Sequence, residues 1–496
     1  MSDVIIKAAM CIKCGEREKK KSTYPTVHTF NMTLIPTSST ASSSTCQAGH
    51  ETRYVMAFLA PSSDLVPSPD GLVLGFALLN PSSASTPANV TVHPGGLTLS
   101  LLPGVVNLGV SFNSSAALVG SKKQAGGGGV VLTACSSVDV DVVVRGTIKS
   151  LSGQTHLTNA AFSVPPVESL GVDYVIVTHC EQHHCFVGIV ATQPNTHINV
   201  TLRLRHSYND TLFYEGQPFG DGDVIEEVLD QFQAMQILCD TCDMSGSRVT
   251  ASSPVAVLAG GELTTIGQIS KADTLLEFLP PTDALGTRHV VAKDTESRFT
   301  LKVVALHKGT IFTLSTVSSP CHLADSDGYT WTLTLPQQSS SAVLDSTLPV
   351  LVSLLICDAN TSDDARMTVV LPMSQWTNAS LHLFQPLRTN TNYVVLVIQD
   401  SDINAGCLSL NGSEVSTFAD PPLGNPVQGV GELRVVRVPL AKTDYYVLSC
   451  SSSCSSCSPY WGYAHGIRST QRRGWAMPLG TFRRTSSRVS NTELAK

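Results

Sequence analysis

Charge is scarce in this chain: Asp, Glu, Lys and Arg make up only 14% of 496 residues, and the formal net charge is −7. Spread so thinly, it supplies neither the basic footprint of a nucleic-acid binder nor a strong acidic field, so no nucleic-acid partner is expected. Long apolar runs are lacking too. LVLGFALL from Leu72 and PVLVSLLI from Pro349 are of strand length, far short of the roughly 18 residues a spanning helix needs, so no membrane insertion is expected. Also absent are a Gly-x-Ser-x-Gly elbow, a His-Glu-x-x-His helix and a dinucleotide fingerprint; GGELTTIG at Gly260 lacks the glycine spacing. The acidic pairs Glu226–Glu227 and Asp363–Asp364 are sequence neighbours that point to opposite sides of a strand and make poor acid/base partners. No catalytic residue, cofactor or metal site is therefore expected. The N-terminus, MSDVIIKAAMCIKCGEREKKK, breaks its apolar stretch at Lys7 and then turns basic, the reverse of a secretory signal's order.

What the chain has in quantity is Val, Leu, Ser and Thr, which favour pleated, half-buried surfaces, and the fold class expected is all-β. Runs such as FVGIVAT, INVTLRL, TLKVVAL, YTWTLTL and ELRVVRV are apolar or alternating, with Gly, Pro, Asn and Asp clusters between them. PPVESLGVDYVIV from Pro165 and PPTDALGTRHVVA from Pro280 align without a gap, and looser versions begin at Gly49 and Gln385. These starts place Tyr54, Tyr174, His289 and Tyr393 at equivalent strand beginnings. Apolar strands ending on cysteine recur at Cys135, Cys239, Cys357 and Cys450. The expected architecture is four tandem β-sandwich-like units at 49–160, 161–275, 276–376 and 377–458, with a leader at 1–48 and a loose Ser/Arg-rich tail at 459–496. A propeller-like ring is the alternative. DVIEEVLDQFQAMQ from Asp223 reads as a short helix or as strand, and AGGGGVV at Ala125 as a flexible loop.

The stretch HCEQHHC, 179–185, concentrates three histidines and two cysteines between two β runs. A zinc site would need four ligands in tetrahedral reach, which adjacent histidines in a tight loop do not supply unless Cys239 and Cys242 complete it. Disulfides are the better expectation, either the local pairs Cys180–Cys185 and Cys239–Cys242 or the strand-stapling pairs Cys185–Cys239 and Cys180–Cys242. Elsewhere one upstream cysteine precedes each strand-end cysteine: Cys46 before Cys135, Cys321 before Cys357, Cys407 before Cys450. Cys11-x-x-Cys14 and Cys454-x-x-Cys457 read as local disulfides or thiols. Such cross-linking belongs to an oxidising compartment. Asn-x-Ser/Thr sequons at Asn31, Asn89, Asn113, Asn199, Asn209, Asn360, Asn378 and Asn411 agree with an extracellular glycoprotein, although a Ser/Thr-rich chain also generates the motif by accident.

GHETRYVMAFL, SSPVAVLAGGELT and LLEFLPPTDALGTRHVVA together resemble the N-terminal domain of the IgG Fc-binding protein family, over roughly residues 49 to 450. The resemblance implies an extracellular mucus or cell-surface glycoprotein module of binding or structural character. The chain departs from that family's wider context in having no cysteine-dense neighbour and no Gly-Asp-Pro-His motif, FGDGDV at Phe219 not being a match. The function expected is non-catalytic binding or adhesion to a protein or glycan ligand, through loops such as Ser82–Ala88, Gln182–His184 and Gly216–Asp223. Two rival readings are a hydrolase, carbohydrate-active or other, whose site assembles only in three dimensions, and an intracellular protein with free thiols.

Overall fold

The computed structural model describes residues 28–33 and 51–483, with breaks at 58, 60–64, 82–86, 94–96, 103–105, 113–121, 136–137, 151–154, 182–183, 206–210, 241, 268–271, 294–296, 317–321, 337–338, 359–364, 385–390, 421–424, 428, 441–444, 452 and 469–472. Nearly everything described is strand; Asp400–Asn404 is the single short α-helix among the described residues. The all-β expectation holds because the apolar periodicity is two. Thr196–Thr201 alternates buried and exposed side chains, whereas Cys185–Ala191, flanked on both sides by Gln233–Cys239 and Arg248–Thr264, is buried throughout.

DVIEEVLDQFQAMQ is two strands, Val224–Leu229 and Gln233–Cys239. The turn between them is closed by the Gln233 amide on the Asp230 carbonyl at 2.9 Å and by the Asp230 amide on Gln233 Oε1 at 2.9 Å. Phe232 there takes φ 63°. The glycine run is not a loop. It lies inside strand Lys122–Ala134, where a Cβ on Gly129 would sit 2.6 Å from the Phe232 carbonyl oxygen that its amide binds at 3.0 Å. Glycine is used here for close approach of two backbones rather than for flexibility.

One local device recurs. Val164, Leu279, Val370 and Leu479 donate their amides to the carbonyls of Val140, Val257, Val352 and Gly462 at 2.8, 2.9, 2.9 and 2.9 Å. After the first three, Pro166, Pro281 and Pro372 open one-turn 3-10 segments, their fixed φ of −64°, −67° and −66° steering the chain into the turn. The turns then pack serially. A Cβ on Gly171 would meet Pro281 Cβ at 2.4 Å, and one on Gly286 would meet Pro372 Cβ at 2.5 Å.

These segments do not build the equal blades of a propeller, and no closed propeller is found among the described residues. Sheets of five, eleven, two, seven, four and five strands are present, and the eleven-stranded one joins Lys122–Ala134 to Gln233–Cys239, across the 160/161 boundary read from sequence. The strands Thr155–Ser163, Asp273–Phe278, Arg366–Val369 and Arg473–Pro478 pack on one another in succession and the last on the first. Phe278 lies 6.4 Å from Phe162 and 6.2 Å from Phe482 between ring centroids. The tail assignment is corrected accordingly. Trp461–Arg468 and Arg473–Pro478 are paired strands, with Trp461, Tyr463, Trp475 and Phe482 buried, so aromatic packing ties this part of the chain into the fold.

The backbones at Gly246 and Gly328 meet closely. A Cβ on Gly246, whose φ is +96°, would lie 1.9 Å from the Gly328 carbonyl oxygen. Gly246→Ala is expected to lower stability by about 1–3 kcal/mol through overpacking and a positive φ combined, read from the urea midpoint. No change in midpoint would show that this contact is not made.

Candidate functional site

The described residues of the 179–185 stretch are held by several contacts. Gly261, opposite Cys185 on the neighbouring strand, leaves room for the His179 carbonyl, which a Cβ would approach to 2.1 Å. Glu181 takes the Thr265 hydroxyl at 2.9 Å and the Gly267 amide at 3.0 Å, and its own amide donates to Thr264 Oγ1 at 2.8 Å. His184 is clamped between two carboxylates, Nδ1 to Glu262 Oε2 at 2.7 Å and Nε2 to Asp240 Oδ1 at 3.0 Å. His179 binds the Thr265 carbonyl at 3.1 Å, and burial, with Lys302⁺ nearby, pushes it down to about 4.

Cys180 is joined to Cys185 and Cys239 to Cys242. Their sulfurs are therefore not thiolates available to zinc, and among the described residues no cluster of three or more His, Cys, Asp or Glu could hold a metal ion. Cys407 bonds Cys454 rather than Cys450, and Cys450 bonds Cys457. Strand Leu408–Leu410 sets Leu408 opposite Cys450, so the CSSSCSSC turn folds back and reaches both cysteines in crossed order. Cys135 is also disulfide-bonded, and Cys357 is buried; their expected partners Cys46 and Cys321, like Cys11 and Cys14, lie outside the described residues. Among the sequons, Asn89, Asn199 and Asn378 are exposed, while Asn411 is half-buried with Oδ1 accepting the Val447 amide at 2.7 Å. The side chain of Asn31 and residues Asn113, Asn209 and Asn360 lie outside the described residues. Of the proposed recognition loops, Gly216–Asp223 is described and largely exposed, whereas Ser82–Thr86, Gln182 and His183 lie outside the described residues.

A concave feature among the described residues lies elsewhere, a cleft of about 260 Å³ that the sequence reading did not find. Asp139 and Asp141, two apart on strand Asp139–Ser150, share one face of the strand and both line it. Ser163 stands opposite Asp141 in register and donates its hydroxyl to Oδ1 at 2.6 Å. His382, from strand Leu381–Phe384, meets Asp139 Oδ2 through Nδ1 at 2.6 Å. Burial, reinforced by Asp139, pushes Asp141 up to about 7, the Ser163 bond and His382 offsetting only part. The Tyr54 hydroxyl donates to the Val138 carbonyl at 2.5 Å and that of Tyr460 to Ala379 at 2.8 Å, fixing two walls. Gln375 and Arg483 close the rim, the Gln375 amide and the Arg483 backbone bonding reciprocally at 2.8 and 2.9 Å. Two carboxylates, an imidazole, an amide and several hydroxyls thus line the cleft, Ser163 donating a hydrogen bond to Asp141 and His382 meeting Asp139. The signal that would have found it is DVDV at Asp139: carboxylates at i and i+2 on one strand.

The strands and the cross-linked cysteines define an all-β, disulfide-bonded protein. Residues 160–462 match the IgGFc binding protein family, and the chain belongs to it. The human IgGFc-binding protein is 26% identical over 233 residues, which are 46% of this chain and only 4% of that protein. A solved structure of Salmonella alpha-2-macroglobulin reacted with methylamine aligns at 10% identity over 86% of this chain and 32% of its own, with a TM-score of 0.11, and carries no argument. No helix among the described residues is long and apolar enough to cross a membrane.

Proposed function

We propose that the chain is a secreted or surface-exposed, non-catalytic binding module for adhesion, made of four kindred β units, whose cleft takes one hydroxyl-rich group of a ligand, such as a single sugar unit of a glycan. The observation that carries this reading is the cleft lining: Asp139, Asp141, Ser163, Gln375 and His382 offer polar partners beside the ring-bearing walls of Tyr460 and Trp461. The recurring Pro turns and the four repeated amide bonds support the kinship of the units. Immunoglobulin Fc, the ligand in the human relative's name, is the second candidate, favoured by membership of that family.

A glycan panel and purified Fc, measured against wild type and Asp141→Asn at pH 6 and pH 8, test it. Asp141 loses its proton near pH 7, and an ionised acceptor bonds a hydroxyl about twice as strongly as a neutral one. Glycan affinity of the wild type is expected to rise about three- to tenfold from pH 6 to pH 8, with the Asp141→Asn variant weak at both. Glycan binding that ignores both the substitution and pH would remove the cleft from the reading. Fc binding without glycan binding would favour the second ligand.

A further inference from the structure

We propose that Cys180, Cys185, Cys239 and Cys242 form a thiol–disulfide exchange centre, whose pairing moves between the local bonds described above and two long-range bonds, Cys185–Cys239 and Cys180–Cys242. This inference stands apart from the cleft. Cys185 and Cys239 are direct cross-strand partners in the antiparallel pair Cys185–Ala191 and Gln233–Cys239, so their side chains leave the same face. Directly opposed Cα atoms in such a ladder are about 4.5–5.5 Å apart, inside the range a disulfide spans. Cys180 Sγ lies 3.4 Å from the Cys242 carbonyl oxygen. Cys180 and Cys242 are each bonded to one member of that cross-strand pair, at Cα separations of 5.4 and 5.6 Å, so the four cysteines lie together and the alternative pairing exchanges near neighbours.

A contact that uses no sulfur links the residues beside Cys185 and Cys239. His184, next to Cys185, bonds Asp240, next to Cys239, at 3.0 Å, so the imidazole bridges the two cysteine loops without using a sulfur. Glu262, on the neighbouring strand Arg248–Thr264, anchors the same ring at 2.7 Å. His184 is thus a positioning residue. Cys185, Cys239 and Cys242 are buried and Cys180 is partly exposed, which makes Cys180 the point of entry.

The exchange balances with a small-molecule thiol as its catalyst. A thiolate attacks Cys180 Sγ, forming a mixed disulfide and releasing the Cys185 thiolate. Cys185 attacks Cys239 Sγ, forming the cross-strand bond and releasing the Cys242 thiolate. Cys242 then attacks the mixed disulfide at Cys180 Sγ, closing the second bond and expelling the original thiolate. No net oxidation or reduction occurs. The exchanged form encloses most of the second unit in two long loops, which restricts the unfolded chain more than two tight loops do.

The test is non-reducing peptide mapping of the folded chain after incubation with a millimolar reduced and oxidised glutathione mixture, quenched in acid. Peptides joining Cys185 to Cys239 and Cys180 to Cys242 are expected, with the free-thiol content unchanged, a raised melting midpoint, and a rate that rises about tenfold from pH 7 to pH 8 as thiolate accumulates. Local bonds persisting at every thiol concentration at which the protein stays folded would overturn the proposal. Cys180→Ser supplies a second reading without added thiol: a Cys185–Cys239 bond with Cys242 as the thiol supports exchange, and an intact Cys239–Cys242 bond beside a Cys185 thiol opposes it. Should that variant fail to fold, the wild-type map decides alone.

Discussion

Lys302→Met is expected to lower unfolding stability by about 3–5 kcal/mol, because it leaves a buried carboxylate without its cation. Lys302, almost wholly buried on strand Ser297–Ala305, reaches across to the second group of strands and bonds Asp243, the Thr178 carbonyl at 2.5 Å and Ser245 Oγ at 3.3 Å. Asp243 also accepts Thr178 Oγ1 at 2.7 Å and Ser245 Oγ at 2.6 Å. Burial alone would raise this carboxyl, but Lys302 and the two hydroxyls outweigh it and hold it near 2. A depressed carboxyl stabilises the fold above its unfolded value near 4, so about 2 kcal/mol should disappear as pH falls from about 4 to 2. Urea unfolding of the variant checks the first figure. Removing both charges, as Lys302→Met with Asp243→Asn, should recover part of the loss, since burying the pair was itself costly. A single variant as stable as wild type would show that the charges do not meet.

At His289 acid is the reagent. The ring is 1% exposed, neither nitrogen has a hydrogen-bond partner among the described residues, and burial pushes it down to about 3. The unfolded chain binds this proton below about 6.5 and the native chain only below about 3. Stability is therefore lost as pH falls through that window, by about 4–5 kcal/mol in all. The counterpart in the preceding repeat explains what is missing. Tyr174 donates its hydroxyl to the Val255 carbonyl at 2.6 Å and accepts the Gly171 amide at 2.8 Å. Gly171 stands opposite Val255, as Gly286 stands opposite Val350. His289→Tyr should thus find an acceptor at Val350 and a donor at Gly286, adding about 1–3 kcal/mol at pH 7 and more at pH 4. Glu277, which burial pushes up to about 8, acts in the opposite direction: its native carboxyl keeps a proton that the unfolded one loses, so it stabilises less as pH rises from about 4.5 to 8. Comparing wild type and the Tyr variant at each pH cancels that background. Equal slopes for the two proteins between pH 7 and pH 4 would discard this account of His289.

Much of this architecture was legible before any coordinates. Alternation of period two gave the strands, and the repeated Pro-Pro…Leu-Gly marked turns that do fall at equivalent places, because proline's fixed φ and the missing glycine Cβ are local properties written in residue identity. The placement of Asp223–Gln236 was ambiguous for an equally local reason: VIEEVL satisfies both periods over so short a run. Crossed bonding of Cys407 and Cys450 was not legible, since it depends on a turn bringing Cys454 and Cys457 back to a strand pair. The cleft was hidden because Asp139 and His382 are far apart in the chain and meet only through packing of distant strands. Glycines at 126–129 misled because flexibility and close backbone approach call for the same residue.

The strand Arg473–Pro478 closes against Thr155–Ser163, and this has a practical corollary for anyone preparing the protein. A recombinant piece trimmed to the family match would stop at residue 462, two residues into Trp461–Arg468, and would lose the hairpin that shields the earliest of these inner edges. Such a piece should be sticky and prone to self-association, whereas one carried through Arg483 should stay monodisperse at the same concentration.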